Sequence, residues 1–266
     1  RQIQEGSNFN WDARAIGLIV TGVVFIAAFI MWQARTTRDA LVPLSLFADR
    51  NFALASAAIT TVGFAVSTFA IPLMIYVQRV QNFSPTVSAL LLLPSGLVSG
   101  ALSGFIGKQT NTHDPKPFAI TGLAVTSISI FATVWITDPQ ISPYWMLLIS
   151  VFYGLGNSMI WGPLSMIATR NLDPTLAGAG SSVYNTVRQV GAVIGSAAVA
   201  AAMSSQLAQR LGDDAAEHSE TGPLPEFLHE PFAEAMSVAL LLPAGVLVLG
   251  VAVAAMFAKT RTWSDN

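Results

Sequence analysis

Arg188 has the most unusual setting in this sequence, because no other ionisable residue lies so far inside an apolar run. A guanidinium is always protonated in a protein and presents a planar fork of donors. It cannot carry a proton itself, but it can hold an anion or keep a nearby carboxylate ionised. Steps of four and three place Ser181, Asn185, Arg188, Ala192 and Gly195 on one helical face, with Tyr184 and Gln189 beside them. Asn185 and Tyr184 are the expected hydrogen-bond partners of the guanidinium. Two readings stay open. Either Arg188 stands in a substrate or coupling pathway, as intramembrane charges generally do, or it reaches back to an interface and ties down a neighbouring helix.

A second constellation is Tyr153, Asn157 and Trp161, an amide with an aromatic one helical turn to either side. Such a set can line a cavity for amphipathic compounds. The plainer alternative is one interhelical hydrogen bond worth about 0.6 kcal/mol. His218 with Glu217 and Glu220, or His229 with Glu230, imitates a weak metal site. Such pairs in an acidic stretch read as incidental, so no metal or cofactor is expected. No P-loop, HExxH or GxSxG pattern occurs, and no span interior carries Asp or Glu. These absences argue against an enzyme. They also mean that a proton relay driven by the proton motive force needs its titratable group from elsewhere.

The elements that position these residues are transmembrane helices. Hydrophobic residues make up 53% of the chain and charged residues only 11%, with a mean hydropathy of +0.57. Soluble domains carry about 25% charged residues, so this chain lacks the polar surface water requires. A net charge of −2 points to no nucleic-acid partner, and the lack of cysteine excludes disulfides. A helix needs about 20 apolar residues to cross the hydrocarbon layer. Seven runs qualify, at roughly 15–34, 52–77, 84–107, 117–137, 143–169, 179–204 and 232–258. None alternates with period two, which excludes a β-barrel reading.

If the first span runs from outside to inside, the inner loops carry Arg35, Arg38, Arg50, Lys108, Lys116, Arg170, Lys259 and Arg261. The outer loops carry Arg1, Arg14, Arg79 and Arg210. This asymmetry predicts a cytoplasmic C-terminus. It also places the acidic segment from about Ser205 to Pro231 outside, as a solvated loop. An odd span count and a start at Arg1 predict a chain whose N-terminal portion is absent or separate.

Small residues and prolines mark packing and bending. Gly96, Gly100, Gly104 and Gly107 form a stripe that lets two helices approach closely, and Gly191 and Gly195 do the same on the Arg188 span. Pro94 is a candidate hinge, and Gly162-Pro163 is expected to kink the span beyond Trp161.

Several segments resemble one family when taken in order. They are Leu41-Val42-Pro43-Leu44-Ser45-Leu46-Phe47-Ala48-Asp49-Arg50-Asn51-Phe52, Pro72 to Gln78, Gln81-Asn82-Phe83-Ser84-Pro85, Leu91 to Pro94 and, most closely, Gly180 to Gly195. Together they resemble the fourteen-span drug:proton antiporters of the major facilitator superfamily, the EmrB/QacA type. The resemblance implies an all-α membrane protein: a six-helix C-terminal transporter bundle at 52–266 preceded by a linker transmembrane helix within 1–51. It further implies a multi-pass protein of the bacterial cytoplasmic membrane. Its partners would be a missing N-terminal half, membrane lipids and a small lipophilic substrate. The last six spans are then expected to form two three-helix repeats of inverted topology, with the first span outside them. One departure stands out. The family's Gly, Asp and Arg loop pattern is degraded here to Gly104-Phe105-Ile106-Gly107-Lys108-Gln109-Thr110-Asn111-Thr112-His113-Asp114. Other readings of the spans are a non-transporting scaffold or receptor, or a lipid or metabolite exporter.

Overall fold

A computed structural model describes residues 13–35, 43–211 and 224–258. Expectations placed on Arg1, Arg38, Lys259, Arg261, Asp213, Asp214, Glu217, His218 and Glu220 lie outside the described residues. Helix α1 (Ala13–Arg35) carries Val23, Phe25, Met31 and Trp32 exposed and Gln33 buried. A short 3-10 turn at Leu44–Ala48 then leads into six consecutive spans. The first is α2 (Arg50–Thr68) with α3 (Ala70–Arg79), and the second is α4 (Pro85–Thr112). The third is α5 (Pro115–Ile136), and the fourth is α6 (Trp145–Ser158) with α7 (Trp161–Thr169). The fifth is α8 (Ala177–Leu211) and the sixth α9 (His229–Ala255).

Two spans are broken, and proline chemistry says where. Pro163 has no N–H to offer the Met159 carbonyl, and its ring crowds that group. The fourth span accordingly breaks at Met159–Ile160, a full turn before the kink expected at Gly162-Pro163. Tight turns take over there: Met159 N donates to Gly156 O at 3.0 Å and Ile160 N to Asn157 O at 3.2 Å. Pro72 stands in the same relation to Thr68, and the first span loses one rung at Phe69, a milder interruption because Phe69 keeps helical angles and donates to Ala65 O at 3.0 Å. Pro94, by contrast, lies inside an unbroken α4, as Pro243 does inside α9.

The dominant packing pairs are the first span with the fifth, the second with the fourth, and the third with the sixth. Exchanging spans one to three with four to six maps this set onto itself. Three is an odd number, so the second trio enters from the opposite side. That is the pattern of an inverted repeat, and the two broken spans open the two trios.

Helix ends differ from the hydropathy reading. The apolar stretch of the second span gives out near 107, yet the helix continues to Thr112. Most of the degraded Gly104–Asp114 segment is therefore helix, not loop, and the connector shrinks to His113 and Asp114. Likewise α8 continues to Leu211, where Arg210 pairs with Glu234, and His229 opens α9 instead of lying in a loop. The carboxylates of Asp49 and Asp114 accept from Phe52 N at 2.7 Å and Lys116 N at 3.1 Å, capping α2 and α5. At that same end the last turn of α9 is clamped from two other helices. Arg50 donates to Met256 O at 3.0 Å, and Lys116 to Phe257 O at 2.7 Å. Asn51 exchanges two hydrogen bonds with the Ala258 backbone, at 3.3 and 2.9 Å.

The close helix contacts use glycine, though not the stripe the sequence advertises. Gly96, Gly100, Gly104 and Gly107 have open space where a side chain would begin, because α6 packs on another side of α4 and brings its own Gly154 against Ser95. The α2–α8 pair is closest. Gly63 lies on the backbone of Arg188, Gly191 on that of Thr60 and Gly195 on that of Phe64. Gly195 thus belongs to the packed side of α8 with Gly191, while Ser181, Asn185 and Ser196 stay exposed. Only 11% of the apolar stretch of α4 and 22% of that of the fifth span are buried, against 39% or more in the other four. Several buried hydroxyls are satisfied within their own helix: Thr126, Thr133 and Thr137 each donate to the carbonyl four residues back at 2.8 to 3.0 Å.

A methyl group at Gly191 would strike the Thr60 backbone, whereas one at Gly245 meets nothing within 4 Å. Gly191→Ala should therefore destabilise the bundle by about 1–3 kcal/mol, visible as a lowered Tm of the purified protein, and Gly245→Ala should leave the Tm unchanged or slightly raised.

Candidate functional site

The two constellations read from the sequence form one site, and Trp161 joins them. Tyr153 and Asn157 lie in the second half of α6, both buried, and Trp161 opens α7 beyond the break. The Trp161 indole N–H donates to Asn157 Oδ1 at 2.7 Å, so the hydrogen bond bridges the interruption. Over the face of the indole comes the Arg188 guanidinium, its Cζ 5.7 Å from the ring centroid. That is cation–π range. Trp161 therefore spends its N–H on the fourth span and its ring face on the fifth.

On the opposite side the Tyr153 ring packs on Phe69 with centroids 4.3 Å apart. Phe69 is the interruption between α2 and α3. Both broken spans thus meet at this aromatic pair, one Tyr153-to-Asn157 turn away from the Arg188 cluster. The sequence reasoning missed Phe69. The signal was available: Pro72 falls inside an apolar run just as Pro163 does, and the same backbone argument locates a break four residues earlier.

Other expectations need correcting. Asn185 does not hold Arg188: its Nδ2 donates to Ser181 O at 3.0 Å, and its Oδ1 accepts no hydrogen bond from the guanidinium. Tyr184 is buried beside Arg188, yet its hydroxyl has no hydrogen-bond partner. The guanidinium turns instead across to α7, where Trp161 presents its ring face. Among the described residues the Arg188 side chain, which is half-buried, makes no hydrogen bond or ion pair. The Tyr153 hydroxyl lies beside the Asn157 side chain without reaching hydrogen-bond geometry. Gln189 is exposed on the same side as Asn185.

The site is a wall, open where Trp161, Asn185 and Gln189 face outward. Two turns beyond Gln189, Ser196 lines a hollow of about 570 Å³ with Ile71, Gln78, Met203 and Phe232. Two smaller hollows lie at the ends of the bundle. One of about 430 Å³ involves Asn111 and Arg170, and one of about 370 Å³ involves Asp138, Glu226, Glu230 and Glu234. His229 in the latter bonds the Leu224 carbonyl at 2.9 Å.

Residues 6–196 match the Major Facilitator Superfamily. The MFS-type transporter Rv1250 of Mycobacterium tuberculosis is 40% identical over 267 residues, covering 96% of this chain and 45% of that protein. The multidrug resistance protein Stp of the same species is 24% identical, covering 78% of this chain and 38% of its own. The lincomycin resistance protein LmrB of Listeria innocua is 26% identical, covering 75% and 42%. The chain belongs to the Major Facilitator Superfamily, a family of membrane transporters, and it spans less than half the length of these relatives. Its six described spans form the all-helical bundle this membership requires.

The Asn157–Trp161 bond should show as coupling between the two residues. In a double-mutant cycle of Asn157→Leu and Trp161→Phe read by thermal unfolding, each single change should destabilise, and their effects should be non-additive by roughly 1 kcal/mol.

Proposed function

We infer that this chain supplies one half of a proton-driven exporter of the fourteen-span type, moving multidrug or other lipophilic compounds by alternating access across a bacterial cytoplasmic membrane. The C-terminus is on the cytoplasmic side in this reading. The observation that carries it is the Arg188–Trp161–Asn157 chain. It stands next to the point where the two proline-broken spans touch, and interrupted segments at corresponding positions of inverted repeats mark transporter binding sites. A structural arginine would be expected to end on a carbonyl or a carboxylate. This one ends on the face of an indole, half-open, with its donors unspent among the described residues. The relatives named for drug and lincomycin resistance agree with export of such compounds.

The division of labour follows from the residue inventory. This half holds a fixed cation and aromatic surface, but no acid inside its spans. The proton-carrying group therefore belongs to the rest of the protein, docked on the little-buried faces of α4 and α8. There the open glycines of α4 allow close approach. A carboxylate brought within about 4–6 Å of Arg188 is held ionised until the partner helices move.

Arg188→Gln should reduce proton-driven efflux in cells or proteoliposomes at least about ten-fold while membrane expression stays near normal, with Arg188→Lys intermediate because it keeps charge but loses the planar fork. Normal transport by Arg188→Gln defeats the pathway reading, and failure of that variant to accumulate makes the residue structural. The chain reconstituted alone should not transport.

A further inference from the structure

We propose that the Arg188 wall selects anionic aromatic compounds, such as a planar ring bearing a carboxylate or sulfonate, over lipophilic cations. The proposal deepens the reading of this wall as part of the substrate pathway and rests on it.

Three observations carry it. First, the wall's unspent hydrogen-bonding capacity is dominated by donors. The Arg188 fork, with five N–H donors and no acceptor, has no hydrogen-bonded or ionic partner among the described residues; the unpartnered hydroxyls of Tyr184 and Tyr153 are buried out of a ligand's reach. The one strong acceptor among the buried groups, Asn157 Oδ1, is already taken by the indole N–H. The exposed amides Asn185 and Gln189 can donate or accept, so they do not set the sign. Second, the indole face that would attract a cationic drug is occupied by the protein's own cation. A second positive charge must displace the guanidinium or meet its repulsion, undamped by bulk water. Third, no carboxylate of these spans is near. The described acids sit at the ends of the bundle, as the caps Asp49, Asp114 and Asp173 or in the hollow with Asp138, Glu226, Glu230 and Glu234. An anion with a flat ring satisfies all three conditions. Its charged group takes the guanidinium fork in bidentate fashion, while its ring lies along exposed Trp161.

The test uses the full-length protein in lipid nanodiscs, with two xanthene dyes of similar size and shape. Fluorescein is anionic at neutral pH, and rhodamine 6G is cationic. Fluorescence anisotropy should give a Kd for fluorescein at least about ten-fold below that for rhodamine 6G. Arg188→Gln should bring the two within about three-fold of each other. Arg188→Lys, which keeps the charge but loses the planar fork, should retain a fluorescein preference smaller than that of the unaltered protein. Tighter binding of rhodamine 6G, binding of neither dye, or a preference that survives Arg188→Gln overturns the proposal. Rhodamine 6G efflux that depends on Arg188 would do so while leaving the transport reading intact. Selective fluorescein binding without movement into proteoliposomes would do the reverse.

Discussion

Everything around the site depends on the backbone-to-backbone contact of α2 with α8. With Gly63 seated on the carbonyl of Arg188, and Gly191 and Gly195 on the backbones of Thr60 and Phe64, the two helices are as close as main chains allow. In a bilayer there is no hydrophobic effect to drive helices together, so contact of this kind, rather than apolar burial, holds them. It also fixes the one charged side chain of the interior. Because Gly63 is seated on the Arg188 main chain, the root of that side chain is fixed beside α7, within reach of the Trp161 ring. The side of α8 carrying Asn185 and Gln189 is left facing away from the bundle.

The second constraint is the pair of proline breaks. Each removes one rung of a helix ladder, at Thr68 and at Met159, and the two damaged places are joined through Phe69 and Tyr153. The Trp161–Asn157 bond repairs the fourth span by a side-chain route where the main-chain route is lost. Polar side chains that sequence alone presents as candidates for substrate binding thus also hold their own helix together.

Much of this was legible in the sequence, for reasons that also mark its limits. Lipid thickness imposes about 20 apolar residues per crossing, so the spans and their order can be read directly. Their ends could not: hydropathy records where lipid stops, whereas helix hydrogen bonds carry α4 on through Lys108–Thr112 and α8 to Arg210. Spacing placed Arg188 among polar neighbours on its own helix but could not reveal Trp161, far away in the chain on another span, as the group it meets. Glycine periodicity showed that the 96–107 face permits close approach without showing that this chain leaves it uncovered. The break at Phe69 was legible in principle, since the argument applied to Pro163 applies unchanged to Pro72.

The clamp at the end of α9 bears on how such a protein is made. Asn51 bonds a backbone 207 positions downstream, and Arg50 and Lys116 reach the same turn. A ribosome feeding a membrane delivers these partners at opposite ends of the bundle's synthesis. The first and third spans must wait in the bilayer, with the Arg50 and Asn51 donors hydrated at the interface, until the sixth has been threaded and its last turn emerges. Closure of the six-helix ring is therefore a late event that long-range contacts make slow. Until then the unfinished bundle exposes unclosed helix faces to insertion factors and quality-control proteases.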